Sequence, residues 1–340
     1  MWHNLEGDDN MTVLVTGGAG YIGSHTCVEL LTIGHDIIVI DNFCNSDMAA
    51  INGIKEITRK DFHFYQADVR DAAALDKIFM THKIDCIIHF AGLKAVGESV
   101  ELPGEYYDNN INSTLNLCRA MKKHDVKKLI FSSSATVYRA DNPMPLTEDA
   151  ALGAINPYGW SKFMCEQVLQ DHAHAAGDWS IVLLRYFNPV GAHASGIIGE
   201  NPRGIPNNLM PFIVQTAQGI HKELKVFGND YNTPDGTGVR DYIHVVDLSL
   251  GHVKSIDFCN SHMGCHVFNL GTGRGVSVLE ITETFKQTNQ VDVPYSIAPR
   301  RPGDNAVSYA DPAKAKEYLG FEAAKTVEDM CRDSWGFVVK

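Results

Sequence analysis

The octapeptide NPYGWSKF, residues 156–163, sets Tyr158 and Lys162 four positions apart, just after a proline. On a helix that spacing brings two side chains to one face. Tyrosine loses its proton at about pH 10, so a tyrosine serving as general base at neutral pH needs positive charge beside it. Lys162, one turn along, can supply that charge. FSSS, residues 131–134, ends an apolar run, and its last serine, Ser134, is placed to hydrogen-bond a hydroxyl that Tyr158 deprotonates. Taken alone, Tyr-x-x-x-Lys is equally an exposed helix pair, and the serines, Ser132 and Ser133 above all, equally satisfy loop backbone groups.

These residues need a scaffold, and the apolar runs describe one. TVLVT (12–16), DIIVID (36–41), DCIIHFAG (85–92), KLIFSSS (128–134) and IVLLRYFNPVG (181–191) alternate with helix-like segments. Strand and helix in alternation predict an α/β fold with a doubly wound parallel sheet of Rossmann type, in which ligands gather beyond the carboxyl ends of the strands. The first strand runs into TGGAGYIG, where Gly18, Gly20 and Gly23 fit GxGxxG while Gly17, Gly20 and Gly23 fit GxxGxxG. Glycines there allow a tight turn and bring backbone N–H groups, those of Tyr21, Ile22 and Gly23 among them, against a pyrophosphate at a helix N-terminus. Asp41 ends the second strand 18 residues past Gly23, where a carboxylate accepts hydrogen bonds from an adenosine ribose, and no arginine follows it, which favours NAD over NADP. The plainer readings are packing for the glycines and a turn cap for Asp41, since Asn42 and Ser46 also suit turns.

Glycine, proline and asparagine thicken from about residue 188 to 238, which marks a smaller C-terminal substrate region interleaved with the first. VRDYIHVVDL (239–248) and HVFNLGTG (266–273) are read as strands returning to the first sheet. The division expected is 11–187 with about 239–273 for the NAD-binding domain, and about 188–238 with 274–340 for the substrate domain. Residues 1–10, MWHNLEGDDN, read as a disordered extension without the apolar core of a signal peptide. A formal charge of −12 argues against nucleic acid or an anionic membrane as partner. Eight scattered cysteines with no CxxC spacing imply no metal site and a reducing, cytoplasmic setting.

At these residues the chain resembles the UDP-glucose (UDP-galactose) 4-epimerases among the extended short-chain dehydrogenases/reductases. GGAGYIGSHT, FAGLKAVGES, FSSSATVY, LLRYFNPVGAH, IPNNLMP, GTGVRDYIHVVDL and RRPGD occur in order from about Met11 to the end. The resemblance implies that Asp41 and Asn42 hold the adenosine ribose, that Asp68 and Val69 flank the adenine, and that Phe90, Ala91, Gly92, Lys94 and Asn109 contact the rest of NAD. Ser134, Tyr158 and Lys162 match the catalytic positions, and Tyr158 and Lys162 would contact NAD as well. Phe187 and Asn188 would line the sugar and diphosphate, with Asn208 and Leu209 nearby. Phe227 would lie near the uridine, and Arg240, Arg301 and Asp304 would bind diphosphate and ribose. As isolated residues, Arg240 beside Asp241 and Arg301 before Asp304 equally read as surface ion pairs.

The implied reaction is inversion at C4 of a UDP-hexose through transient oxidation with bound NAD: Tyr158 takes the 4-hydroxyl proton, the keto sugar turns over while UDP stays anchored, and reduction occurs on the other face. Ser308 stands where relatives restricted to glucose and galactose carry tyrosine, so the same resemblance implies use of UDP-GlcNAc and UDP-GalNAc as well, unless Ser308 is only a loop residue and another side chain closes the pocket. It also implies a homodimer packed through helices near 101–124 and 157–176. The chain departs from the family at Arg139, where glycine is usual, and at Trp160, where a smaller or charged residue is usual. A nucleotide-sugar 4,6-dehydratase or decarboxylase of the same fold is the rival enzyme, but Ala135, Thr136 and Val137 after Ser134 supply no carboxylate for a second proton transfer. A non-catalytic NAD-binding regulatory protein is the other rival, and such proteins tend to lose the tyrosine or lysine kept here.

Overall fold

The computed structural model describes residues 10–202, 206, 208–301 and 304–340, so residues 1–9 of the expected extension lie outside the described residues. The first half alternates strand and helix: β1 (Thr12–Thr16), α1 (Tyr21–Ile33), β2 (Asp36–Asp41), α2 (Met48–Thr58), β3 (His63–Gln66), α3 (Ala72–Thr81) and β4 (Cys86–His89). Then come α4 (Val96–Glu101), α5 (Pro103–Lys123), β5 (Lys128–Ser132), a 3-10 turn (Ala135–Val137), α6 (Pro157–Ala176) and β6 (Ser180–Tyr186). The remainder comprises β7 (Asn188–Val190), α7 (Leu209–Ala217), β8 (Leu224–Phe227), β9 (Val239–His244), α8 (Val245–Ser261), β10 (Gly264–Leu270), β11 (Gly275–Ser277), α9 (Val278–Asn289), β12 (Tyr295–Ala298), β13 (Val307–Ser308), α10 (Ala313–Leu319) and α11 (Val327–Val338).

Seven parallel strands form the main sheet in the order β10-β6-β5-β4-β1-β2-β3. The near-continuous apolar runs are explained by burial on both faces. Val13, Val15, Val39, Ile88, Ile130, Val182 and Leu184 pack on one side, with residues of α1, α2, α8 and α10. Leu14, Ile38, Ile40, Ile87, Leu129, Phe131, Ile181 and Leu183 pack on the other, with α3, α5 and α6. The period of two that each strand hides in its apolar run is thus restored by the helices. The order reverses between β1 and β4, and a crevice opens there at the carboxyl ends. Thr16 and His89, which end those two strands, join through Oγ1 and Nδ1 at 2.7 Å.

One strand expectation is corrected. Residues 239–248 are not a single strand, and their strand portion does not join the main sheet. β9 stops at His244, whose Nδ1 accepts the Val246 N–H at 3.1 Å and so caps α8. β9 lies in a small sheet, parallel to β7 and β13 and antiparallel to β11. β10 does extend the main sheet, beside β6. A third core, built from α7, β8, β9, α9 and α11 around Ile213, Val226, Ile281 and Phe285, lies under the C-terminal region. No helix among the described residues is long and apolar enough to cross a membrane, no group of residues there has the makings of a metal site, and all eight cysteines are free thiols.

Candidate active site

The glycine turn is built by close backbone approach. Gly17 has φ +69°, and a Cβ on it would stand 2.7 Å from the Ala91 nitrogen. A Cβ on Gly23 would stand 2.3 Å from the Gly17 carbonyl oxygen, too close for any side chain. Gly17 and Gly23 are thus required by the backbone itself, and a Cβ on Gly18 would stand 2.8 Å from Val39 Cγ1 while one on Gly20 would meet only the Gly17 carbonyl oxygen at 3.2 Å, so both spellings are constrained. Gly20 caps α1 without a side-chain hydrogen bond, and the first turn of the helix carries no acidic residue. The positive end of α1 is thus left open toward the crevice, the arrangement a pyrophosphate fits. The Tyr21 hydroxyl donates to the Gly191 carbonyl at 2.6 Å, and Ile22 packs into the core.

At the far end of the crevice Asp41 accepts the Ala19 N–H at 3.0 Å, the Phe43 N–H at 2.9 Å and the Ser46 hydroxyl at 2.7 Å. The turn-cap reading of Asp41 is present in the structure, and since a carboxylate offers about four lone-pair positions these three donors leave one of them. The Asn42 amide donates to Asp68 at 3.0 Å. Arg70, which the sequence reading passed over, grips Asp68 through its backbone N–H and its guanidinium at 2.8–3.1 Å and holds the carboxyl down at about 2. Val69 between them is buried. Phe90 and Ala91 both donate their N–H to the Thr16 carbonyl, at 3.0 and 3.1 Å, which carries the chain across the switch point. A Cβ on Gly92 would lie 3.0 Å from Asn110 Oδ1 and 3.7 Å from the Lys162 ammonium. Asn109 is half-buried on α5, and the buried neighbour Asn110 takes both backbone groups of Leu93 and the Ser161 hydroxyl. Two adjacent asparagines in one helix were the available signal for it.

Ser134, Tyr158 and Lys162 meet at the carboxyl end of β5. All three are buried, at 7%, 6% and 4% exposure, so the exposed-pair reading of Tyr158 and Lys162 falls. Ser134 lies close enough to the Tyr158 phenol to influence it, and its Oγ accepts from Thr136 N–H and Oγ1, at 3.2 and 3.0 Å. Burial pushes the phenol up to about 12, against the opposing influence of the neighbouring Ser134. Lys162 donates to the Ser132 carbonyl at 2.8 Å, and burial brings its ammonium down to about 8. The remaining serines do not serve loop backbone as expected: Ser132 Oγ meets the Tyr186 hydroxyl at 2.7 Å, and Ser133 donates to Glu166. Strand-end burial gives each a side-chain partner instead.

The residues between Tyr158 and Lys162 have separate duties. Gly159 lets α6 lie against the 3-10 turn that carries Ser134: a Cβ there would stand 2.7 Å from the Thr136 carbonyl oxygen. Asn156 caps the helix by accepting the Gly159 N–H at 2.9 Å. Trp160 points away from the site, packs its ring 5.7 Å from Phe163, and remains 36% exposed. Arg139 lies over Gly153 and pairs bidentately with Asp141 on the surface, which explains why an arginine is accepted there.

Across the crevice, Phe187 is buried where β6 gives way to β7, and Asn188 is exposed at the start of β7. The amide of Asn208 donates to Glu200 at 2.9 Å just before Leu209 opens α7. Lys94 reaches the same Glu200 at 3.2 Å, so one carboxylate bridges the two lips of the crevice. Sequence inspection missed it. Arg240 and Arg301 converge on Asp304 at 3.0 and 3.1 Å, and the Arg301 guanidinium lies 4.8 Å over the Phe227 ring. Two guanidinium groups thus share one carboxylate and keep a net positive charge. Ser308 pairs with Arg240 in register, which brings it to the same edge.

The family model described as GDP-mannose 4,6 dehydratase matches residues 14–334. The chain is 58% identical to the UDP-glucose 4-epimerase of Bacillus subtilis (strain 168) over 325 residues, 96% of each chain. It is similar to the crystal structure of UDP-glucose 4-epimerase from Bifidobacterium longum in complex with NAD+ and UDP, with a TM-score of 0.92 and 54% identity over 96% of this chain and 97% of that one. It is similar also to UDP-glucose-4-epimerase from Stenotrophomonas maltophila with bound NAD and formylated UDP-arabinopyranose, at a TM-score of 0.95 and 50% identity over the same shares. Identity above one half along almost the whole length, on one fold, places this chain in the UDP-glucose 4-epimerase family of the extended short-chain dehydrogenases/reductases.

Proposed function

We propose that the protein is an NAD-dependent isomerase that inverts C4 of UDP-hexoses, interconverting UDP-glucose with UDP-galactose and UDP-GlcNAc with UDP-GalNAc. The observation that carries this reading is the burial of Tyr158 together with Ser134 and with Lys162, one helical turn along, at the carboxyl end of β5. Bound NAD supplies the acceptor and donor of hydride at C4. The open end of α1 with Gly17, Gly20 and Gly23 holds its pyrophosphate. Asp41 and Asn42 hold the adenosine ribose, Asp68 and Val69 flank the adenine, and Phe90, Ala91, Gly92, Lys94 and Asn109 line the remainder.

Tyr158 takes the proton of the 4-hydroxyl while Ser134 orients that hydroxyl, and it returns the proton once the sugar has turned over. The chain alone keeps the phenol protonated, so the positive charge of Lys162 and of an oxidised nicotinamide must together offset burial. Phe227, Arg240, Arg301 and Asp304 anchor the uridine and diphosphate, and Phe187, Asn188, Asn208 and Leu209 border the sugar. Residues 11–187 with 245–273 and the α10 segment form the NAD-binding unit in this reading, and β7 to β9 with β11, α9, β12, β13 and α11 form the substrate unit. The family model's description names a dehydratase, yet the residues after Ser134, Ala135 to Val137, form the turn under Gly159 and present no carboxylate.

Ser308 leaves room at the Arg240 edge for a 2-acetamido group. Incubation with UDP-galactose and with UDP-GalNAc, followed by NMR at C4, is expected to show inversion of both. Inversion of UDP-galactose alone would remove Ser308 as the specificity residue, and inversion of neither would remove the epimerase.

The protein is further assigned to the cytoplasm and to a homodimer packed through α5 and α6. In support, α6 exposes Trp160 and Met164 one turn apart, and the adjoining α4 region exposes Val96, Val100 and Leu102. Trp160→Glu is therefore expected to convert a sedimenting dimer to a monomer; unchanged sedimentation would move the interface elsewhere.

A further inference from the structure

The mechanism above leaves a buried ion pair unused. Arg185 of β6 meets Glu166 of α6 through Nε at 2.9 Å and NH2 at 2.6 Å, and their side chains are 3% and 0% exposed. A third NH bond runs to the Glu148 carbonyl at 3.1 Å, and the guanidinium lies 4.9 Å over the Tyr138 ring. Tyr138 in turn donates to Asn269 at 2.7 Å. Such a pair contributes little to stability, because desolvation offsets most of its attraction and apolar side chains of equal volume serve as well. Its position gives it a different use.

Glu166 lies one turn beyond Lys162 and two beyond Tyr158 on the same helix. Its Oε1 accepts the hydroxyl of Ser133 at 2.5 Å, and Ser133 immediately precedes Ser134. The backbone of Ser133 is already tied to β6 through Leu184 at 2.9 Å. The side-chain bond therefore fastens α6 to the strand end that carries Ser134, and the close approach of Gly159 to Thr136 fastens the other end of the same turn. Between the two fastenings lie Ser134, at the head of the 3-10 turn, and Tyr158, in the first turn of α6.

We propose that Ser133, Glu166 and Arg185 are positioning residues that set the distance between Ser134 and Tyr158. This rests on the catalytic roles proposed for those two residues. A displacement of about 1 Å at a reacting pair can cost about 100-fold in rate, whereas uridine diphosphate and the adenosine and pyrophosphate of NAD are anchored by other residues, so their binding is little changed.

The test compares Ser133→Ala, the double variant Glu166→Gln/Arg185→Met and Tyr158→Phe in the NAD-loaded enzyme, by kcat and KM for UDP-galactose, NAD retained and melting temperature. Ser133→Ala should stay folded with a melting temperature only a few degrees lower, and keep NAD and KM, while kcat falls about tenfold, and the double variant should lose more kcat with KM again unchanged. Wild-type kcat in Ser133→Ala overturns the proposal, whether or not the double variant folds. A Tyr158→Phe enzyme that still turns over would instead overturn the catalytic assignment on which the proposal stands.

Discussion

Tyr158→Phe lowers the rate of C4 inversion by about 10²–10⁴-fold, the contribution ordinarily made by a positioned proton-transfer group, and leaves the protein folded with NAD bound. The ring is 6% exposed, so phenylalanine keeps its packing. Ser134 is not orphaned, since it accepts from Thr136 N–H and Oγ1. The pH dependence separates a general base from a packing residue. With the phenol pushed up to about 12 by burial, the proton-accepting form is scarce at neutral pH in the chain alone and grows as pH rises. The wild-type rate therefore climbs through the acid side of its profile, and the residual rate of Tyr158→Phe does not. NMR rates across pH, with retained cofactor measured by absorbance, decide it. A variant within tenfold of the wild type, or one with the same acid limb, would take the proton-transfer role from Tyr158.

The parts of this site that sequence could reveal are those whose partners lie within one element. Tyr158 and Lys162 share a helical turn, and the glycines share a single strand-to-helix bend. The long apolar runs declare the central strands because both faces are covered. β3, with its half-buried HFYQ at the sheet edge, has no such run, and the short β8, β11 and β12 have too few residues to show one. The boundary at His244 escaped because Val245 and Val246 continue an apolar pattern that only the histidine cap interrupts. Glu200 escaped for a different reason: Lys94 stands 106 residues from it, and no local pattern marks a carboxylate that closes a crevice. Glu166 and Arg185 read as ordinary charges on a helix and a strand. Only the packing of α6 on β5 and β6 buries them together.

Lys162→Met is expected to raise the melting temperature by a few degrees while lowering kcat about 100-fold, a trade between stability and activity of a kind usual at active sites. Burial lowers the lysine from 10.5 to about 8, so the folded state disfavours the charged form by up to about 3 kcal/mol. The sign follows from proton counting. Between about pH 8 and 10.5 the unfolded chain holds a proton on Lys162 that the folded chain has released, so folding stability rises with pH across that window. Below about pH 8 both states are protonated and the cost of burying the ammonium is fully present. Methionine removes that cost and fills a similar volume, with the Ser132 carbonyl left unbonded as a partial offset. Activity moves the opposite way, because in the proposed mechanism the ammonium, one helical turn from Tyr158, supplies the chain's own positive charge to the phenol. As pH rises through about 8 the wild type loses that charge and its rate falls, an alkaline limb that Lys162→Met lacks. Thermal melts at pH 7 and pH 10 test the first half: the stability difference between the two proteins should be larger at pH 7. Equal differences at both pH values, or an alkaline limb preserved in the variant, would show that Lys162 is not the charge partner of Tyr158.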